Sequence, residues 1–140
     1  MSKNIIRLTD NASGLGLTLG SLEIKVFESC SKLGSGTVRQ ILEGIEEKYA
    51  YTTVMTTCDR LAKKGILSRV KKGNCYVYSP IAPRKELDQR TTFKVLDRIL
   101  GSLTEPVMEG FLDMLEDHDD KKLEALEKLI AKRKNQKKDK

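Results

Sequence analysis

The chain has 140 residues, of which 33% are charged, with a formal net charge of +6 and no tryptophan. A hydrophobic fraction of 39% supports one domain, or two small ones, around a modest aliphatic core. No run approaches the roughly 18 apolar residues of a membrane span, residues 1–19 lack the apolar centre of a signal peptide, and Cys30, Cys58 and Cys75 lack both an even count and metal-type spacing, so a reducing, cytoplasmic setting is expected.

Residues 1–18 show little periodicity and read as a flexible N-terminal arm. Lys3 and Arg7 in it could touch a DNA groove, and a frayed terminus is the plainer alternative. From Ser21 to Lys32, the spacing of Leu22, Val26, Phe27 and Cys30 predicts a first helix. Leu33-Gly34-Ser35-Gly36 is a turn. Thr37-x-x-Gln40 matches a capping box, in which a hydroxyl meets the N3 amide and the glutamine reaches back. The stripe Val38, Ile41, Leu42 and Ile45 then defines a second helix.

A third helix opens at Tyr51. Val54, Cys58, Leu61 and Ala62 fall on one face, with Thr52, Thr56, Arg60 and Lys63 opposite and Thr53 beside them. Gly65 suits a position just past the C-terminus, and Lys63 and Lys64 suit the negative end of the helix dipole. Ile66 to Val70 and Cys75 to Ser79 are strand-like, with Lys72-Gly73-Asn74 as the turn and Tyr76 and Tyr78 sharing a face. Pro80 and Pro83 stop the sheet.

Beyond Pro83 the pattern is helical. Arg84 to Leu103 carries Phe93, Leu96, Ile99, Leu100 and Leu103 on one face. Thr104 is placed to cap a further helix whose first turn holds Glu105 and Pro106. Its apolar positions are Val107, Met108, Phe111, Leu112 and Leu115, and Glu116 to Asp120 reads as an acidic connection. A last helix from about Lys121 carries Leu123, Leu126, Leu129 and Ile130, ends in Lys132-Arg133-Lys134, and leaves 135–140 as a basic tail.

The expected fold is mainly α with a small β-hairpin wing: a winged helix-turn-helix over 19–83, then a helical dimerisation domain over 84–134. In a helix-turn-helix the second helix enters the major groove, which puts Thr52, Thr53 and Thr56 nearest base edges. Thr37, Arg39, Arg60, Lys63, Lys64, Arg69, Lys71, Lys72 and Asn74 are candidates for phosphate contact, with Gly73 at the wing turn. Short helices with wide apolar stripes bury little alone. A symmetric homodimer would cover Phe93, Leu96, Ile99, Leu100, Leu103, Val107, Phe111, Leu112, Leu115, Leu123, Leu126 and Ile130.

Several stretches together resemble the penicillinase-repressor family, which includes β-lactamase, methicillin-resistance and copper-responsive repressors. They are Leu19-Gly20-Ser21-Leu22-Glu23, Thr37-Val38-Arg39, Ala50 to Thr56, Asp59-Arg60-Leu61 with Lys63-Lys64-Gly65, Gly73, and Tyr76-Val77-Tyr78-Ser79-Pro80. The resemblance is dense from Leu19 to Pro83 and similar in layout to near Lys134. It implies a dimeric repressor on a palindromic operator, with Thr53 and Thr56 at base-reading positions and Gly73 in the wing turn. It also implies cleavage near Gly110-Phe111-Leu112, triggered by a membrane-bound sensor peptidase. This chain has Gly110 where the family's better-known cleaved bond follows an asparagine, and its three cysteines all precede Pro80, unlike the paired C-terminal cysteines of the copper branch.

Other readings are blander. His118 among Glu116, Asp117, Asp119 and Asp120 could ligate a divalent metal, but fits a loop with helix-capping aspartates better. Cys58 and Cys75 read as small core residues rather than redox sensors. No catalytic constellation or cofactor motif stands out, so an enzyme ranks behind the rival reading, a winged-helix adaptor that binds protein rather than DNA.

Overall fold

The computed structural model describes residues 14–138, so Lys3 and Arg7 lie outside the described residues. The chain forms two compact units, one ending at Val95 and the other beginning at Leu96.

The first unit is built from α1 (Ser21–Leu33), α2 (Val38–Glu43), α3 (Tyr51–Lys63), a hairpin of β1 (Leu67–Lys72) and β2 (Cys75–Pro80), and the start of α4 (Arg84–Ile99). Val26, Phe27 and Cys30 of α1, Val38 and Ile41 of α2, and Val54, Cys58 and Leu61 of α3 meet in one core. These are the apolar stripes expected from spacing, with Leu22, Leu42 and Ala62 packed half-buried at its edge. The capping box forms as read: the Gln40 amide donates to Thr37 Oγ1 at 3.3 Å, and the Thr37 amide donates to Gln40 Oε1 at 2.9 Å.

Four features of this unit differ from expectation. Gly14–Leu17 is a 3-10 turn with Leu15 fully buried, and the Leu15 amide donates to Asp88 Oδ1 at 2.9 Å, so this part of the 1–18 segment is packed. Two polar residues of α1 are buried: Ser29, whose hydroxyl donates to the Ile41 carbonyl at 2.8 Å, and Glu23. The strands run later than their apolar content suggests, β1 to Lys72 and β2 to Pro80, because backbone pairing continues through the charged residues. Finally, Gly36 pairs with Tyr78 through two backbone hydrogen bonds of 2.9 and 2.8 Å, fastening the hairpin to the segment before α2.

Glu23 accepts from the Gly20 amide at 3.0 Å, which closes the first turn of α1, and from Lys64 Nζ at 2.8 Å, which ties α1 to the end of α3. Burial pushes its carboxyl up, but the Gly20 amide and the Lys64 ammonium together outweigh burial and hold it below the ordinary carboxylate value. A lowered folded-state value stabilises the fold above the ordinary value, and that stability is lost as pH falls through the folded value. Glu23→Gln should therefore cost about 1 kcal/mol at pH 7, and the difference from wild type should narrow at an acidic pH below the ordinary carboxylate value. Denaturant titrations at the two pH values measure this.

The second unit holds the end of α4, a 3-10 turn at Leu100–Ser102, α5 (Glu105–His118) and α6 (Asp120–Lys138). The helix expected to run to Leu103 stops at Ile99, where Gly101 is a poor helix former. Thr104 occupies the N-cap position of α5, but its side chain makes no capping hydrogen bond. The expected acidic connection shrinks to Asp119: Glu116 to His118 complete α5 and Asp120 begins α6. Instead of ending near Lys134, α6 continues to Lys138. No residue of α5 or α6 is buried, and Phe93 of α4 is 69% exposed. Among the described residues no helix is long and apolar enough to cross a membrane.

Candidate nucleic-acid interface

The sequence of α3 separates its two faces. Val54, Thr57, Cys58 and Leu61 are buried, while Thr52, Thr53, Thr56, Arg60 and Lys63 are exposed. The three outward threonines are not equivalent. Thr56 Oγ1 donates to the Thr52 carbonyl at 2.9 Å, so its hydroxyl hydrogen is spent on the helix backbone. It keeps an acceptor lone pair and a methyl group for an external partner. The hydroxyls of Thr52 and Thr53 have no hydrogen bond among the described residues and keep both roles. Thr57, which the periodicity did not mark, is buried and donates to the Thr53 carbonyl at 2.8 Å.

The helix ends at the Lys64 C-cap, and Gly65 follows at φ 76°, a conformation that suits a residue without Cβ. Lys64 is an exposed cation, but its ammonium is already held by Glu23. The hairpin pairs Lys72 with Cys75, leaving Gly73-Asn74 as a two-residue turn. Gly73 has φ 62° and Asn74 does not have positive φ, the pattern of a type II′ turn with glycine first.

Register sorts the wing's charges. Arg69 faces Tyr78 and Lys71 faces Tyr76, so these four share one face; Val70, Lys72, Cys75 and Val77 share the other. At the base of the wing Tyr78 is buried, while Tyr76, nearer the tip, is exposed. Arg69 Nη1 donates to Asp59 Oδ1 of α3 at 2.7 Å, and its guanidinium lies over the Tyr76 ring, 4.3 Å from the centroid. Lys63 Nζ meets the other oxygen of Asp59 at 3.1 Å. Asp59 thus braces the wing against α3 and holds two of the candidate cations. Arg60, Lys71 and Lys72 have no acidic partner among the described residues.

At the start of α2, the Thr37 hydroxyl is committed to its cap. Arg39 is exposed, with its guanidinium 5.8 Å from the centroid of the Tyr51 ring in the first turn of α3. Sequence reading missed Asp59 and Tyr76 as orienting groups. The available signal was Asp59 four residues before Lys63, the spacing of a helical ion pair; its link to Arg69 depends on the hairpin folding back.

Burial pushes the Cys30 thiol up to about 11 and the Cys58 thiol up to about 12, so both stay protonated at neutral pH. Cys75, expected in the core, is exposed on β2 because the hairpin extends beyond the body of the unit. Among the described residues no group of three or more His, Cys, Asp or Glu side chains could hold a metal ion.

The chain is similar to several known proteins. The transcriptional regulator BlaI of Mycobacterium tuberculosis is 39% identical over 72 residues, covering 49% of this chain and 52% of that protein. The chain spans about half the length of the curated relatives it matches. Among solved structures, a MarR variant from E. coli complexed with operator DNA is similar at 14% identity and a TM-score of 0.47, covering 76% of this chain and 80% of its own. YusO from Bacillus subtilis is similar at 23% identity and a TM-score of 0.42, over 71% and 73% of the two chains. The model of the penicillinase repressor family matches residues 19–132, and the chain belongs to that family.

Proposed function

We propose that this protein is a homodimeric transcriptional repressor that reads an inverted-repeat operator with α3 and grips phosphates with its wing. The observation that carries this reading is the outward face of α3 and the wing beside it. Three threonines point outward from the first half of the helix, and Arg60 of the same helix and Lys71 and Lys72 of the wing have no acidic partner among the described residues. Free hydroxyls and methyls match base edges, and unpaired cations match phosphate. Membership of a repressor family supports the same assignment. Cations on both faces of the wing tip favour DNA over the rival reading, an adaptor that binds protein.

Phosphate contact and base reading are separable. Lys71→Ala with Lys72→Ala should weaken binding to every duplex alike and lower the dimer's salt slope by about 4, two contacts from each protomer. An unchanged slope would remove both lysines from the interface. Thr53→Val deletes a free hydroxyl at nearly constant shape and should cost about 1–3 kcal/mol of discrimination between operator and random DNA. Thr56→Val should cost less, since that donor is already engaged with Thr52. Equal losses on operator and random DNA would contradict base reading by either residue.

Release by a membrane-bound sensor peptidase belongs to the same reading. The Gly110–Phe111 bond lies inside α5, so cutting it requires that helix to open, which the glycine eases by about 1 kcal/mol relative to alanine. Finding the chain intact while the operator is released during induction would end that part of the proposal.

A further inference from the structure

The second unit is divided by charge along the chain. Between Ile99 and Asp120 there are acids at Glu105, Glu109, Asp113, Glu116, Asp117, Asp119 and Asp120 and no lysine or arginine. Between Lys128 and Lys138 there are cations at Lys128, Lys132, Arg133, Lys134, Lys137 and Lys138 and no acid. Glu105–His118 of the first and all of the second are α-helical.

On α5, Glu105, Glu109, Asp113 and Glu116 fall at i, i+4, i+8 and i+11, a single stripe flanked by the exposed Met108 and Leu112. The apolar stripe of α6 passes from Leu126 through Leu129 and Ile130 into Arg133 and Lys137, again at helical spacing. Leu129 and Ile130 are 57% and 54% exposed, and they line a shallow groove with Arg133, Lys134 and Lys137. None of these acids or cations has an ion-pair partner among the described residues.

We infer that the cationic end of α6 docks on the acidic stripe of α5 in a second copy of the chain. This rests on the homodimer proposed above and adds which faces meet. The two charged stretches match in length, about 17 Å on α5 and about 15 Å on α6 at 1.5 Å per residue. The cations adjoin uncovered leucine and isoleucine, which an acidic helix with an apolar flank can cover and a phosphate backbone cannot. In a two-fold dimer the contact occurs twice, so the cationic end of each α6 finds an acid stripe. Opposite charge then selects the register, and like charge disfavours the shifted alternatives.

Two full-length variants test this by sedimentation equilibrium. One carries Glu105→Lys, Glu109→Lys and Asp113→Lys; the other carries Arg133→Glu, Lys134→Glu and Lys137→Glu. Each should dimerise with itself about tenfold more weakly than wild type, or worse, and mixing the two should restore a heterodimer of near wild-type affinity. Wild-type dimerisation should also weaken as salt rises.

A wild-type chain that is monomeric would sink the homodimer reading itself. Variants that self-associate like wild type would overturn only the docking inference. A single chain carrying both reversals that recovers while the mixture does not would place the contact within one chain and contradict it. Normal dimers of the α6 variant with a reduced salt slope on DNA would assign the cations to phosphate instead.

Discussion

Replacing Phe111 and Leu112 together by aspartate should leave the first unit folded, make the chain monomeric and weaken binding to an inverted repeat by about 10²–10⁴-fold. Both side chains are exposed in the single chain, so the substitution removes no core contact there. In a dimer they would be covered, and a buried unpaired carboxylate is costly. The loss on DNA arises because two linked reading heads bind a repeat as one event, whereas separate heads bind twice. Sedimentation and operator titration check the two halves of the prediction. A variant that remains dimeric would show that α5 is not part of the interface.

The second large effect lies at the base of the wing. Tyr78 is 2% exposed, heads the fully buried side chains by volume, and its backbone accepts from Gly36 at 2.9 Å and from the Cys30 thiol at 3.4 Å. It faces Arg69, the residue that Asp59 holds. Tyr78→Ala should therefore lower stability by about 3–5 kcal/mol, the usual cost of emptying an aromatic core position. The damage should spread to DNA binding, since the hairpin loses its main anchor to the core. Denaturant unfolding measures the first effect. A stability loss under about 1 kcal/mol would mean the wing is attached by backbone pairing alone.

Tyr78 also shows where sequence reading stops. Alternation correctly placed Tyr76 and Tyr78 on one face, but it could not say that one is buried and the other exposed. That depends on how far the hairpin extends past the body, which is set by the Gly36 pairing some forty residues away. The helices of the first unit were legible because their apolar stripes repeat at helical spacing and their ends carry Thr37, Gly65 and the lysines. Glu23 and Ser29 were missed because each is a polar residue on a buried face, and the Lys64 ammonium and the Ile41 carbonyl that partner them lie far along the chain. The base-reading candidates followed from α3 alone. The Asp59–Arg69–Tyr76 arrangement did not, since it needs α3 and both strands in place. The shortened connection between α5 and α6 was hidden because the acids of Glu116 to Asp120 fit a solvated helix end as well as a loop.

The measurement that tests the central claim most directly is selection of binding sites from random duplex DNA with the purified full-length protein. The account predicts enrichment of an inverted repeat with half-sites about one helical turn apart, and a salt-dependent affinity for it well above that for random DNA. Failure to enrich any sequence, with only weak binding that salt abolishes, would contradict sequence reading by α3.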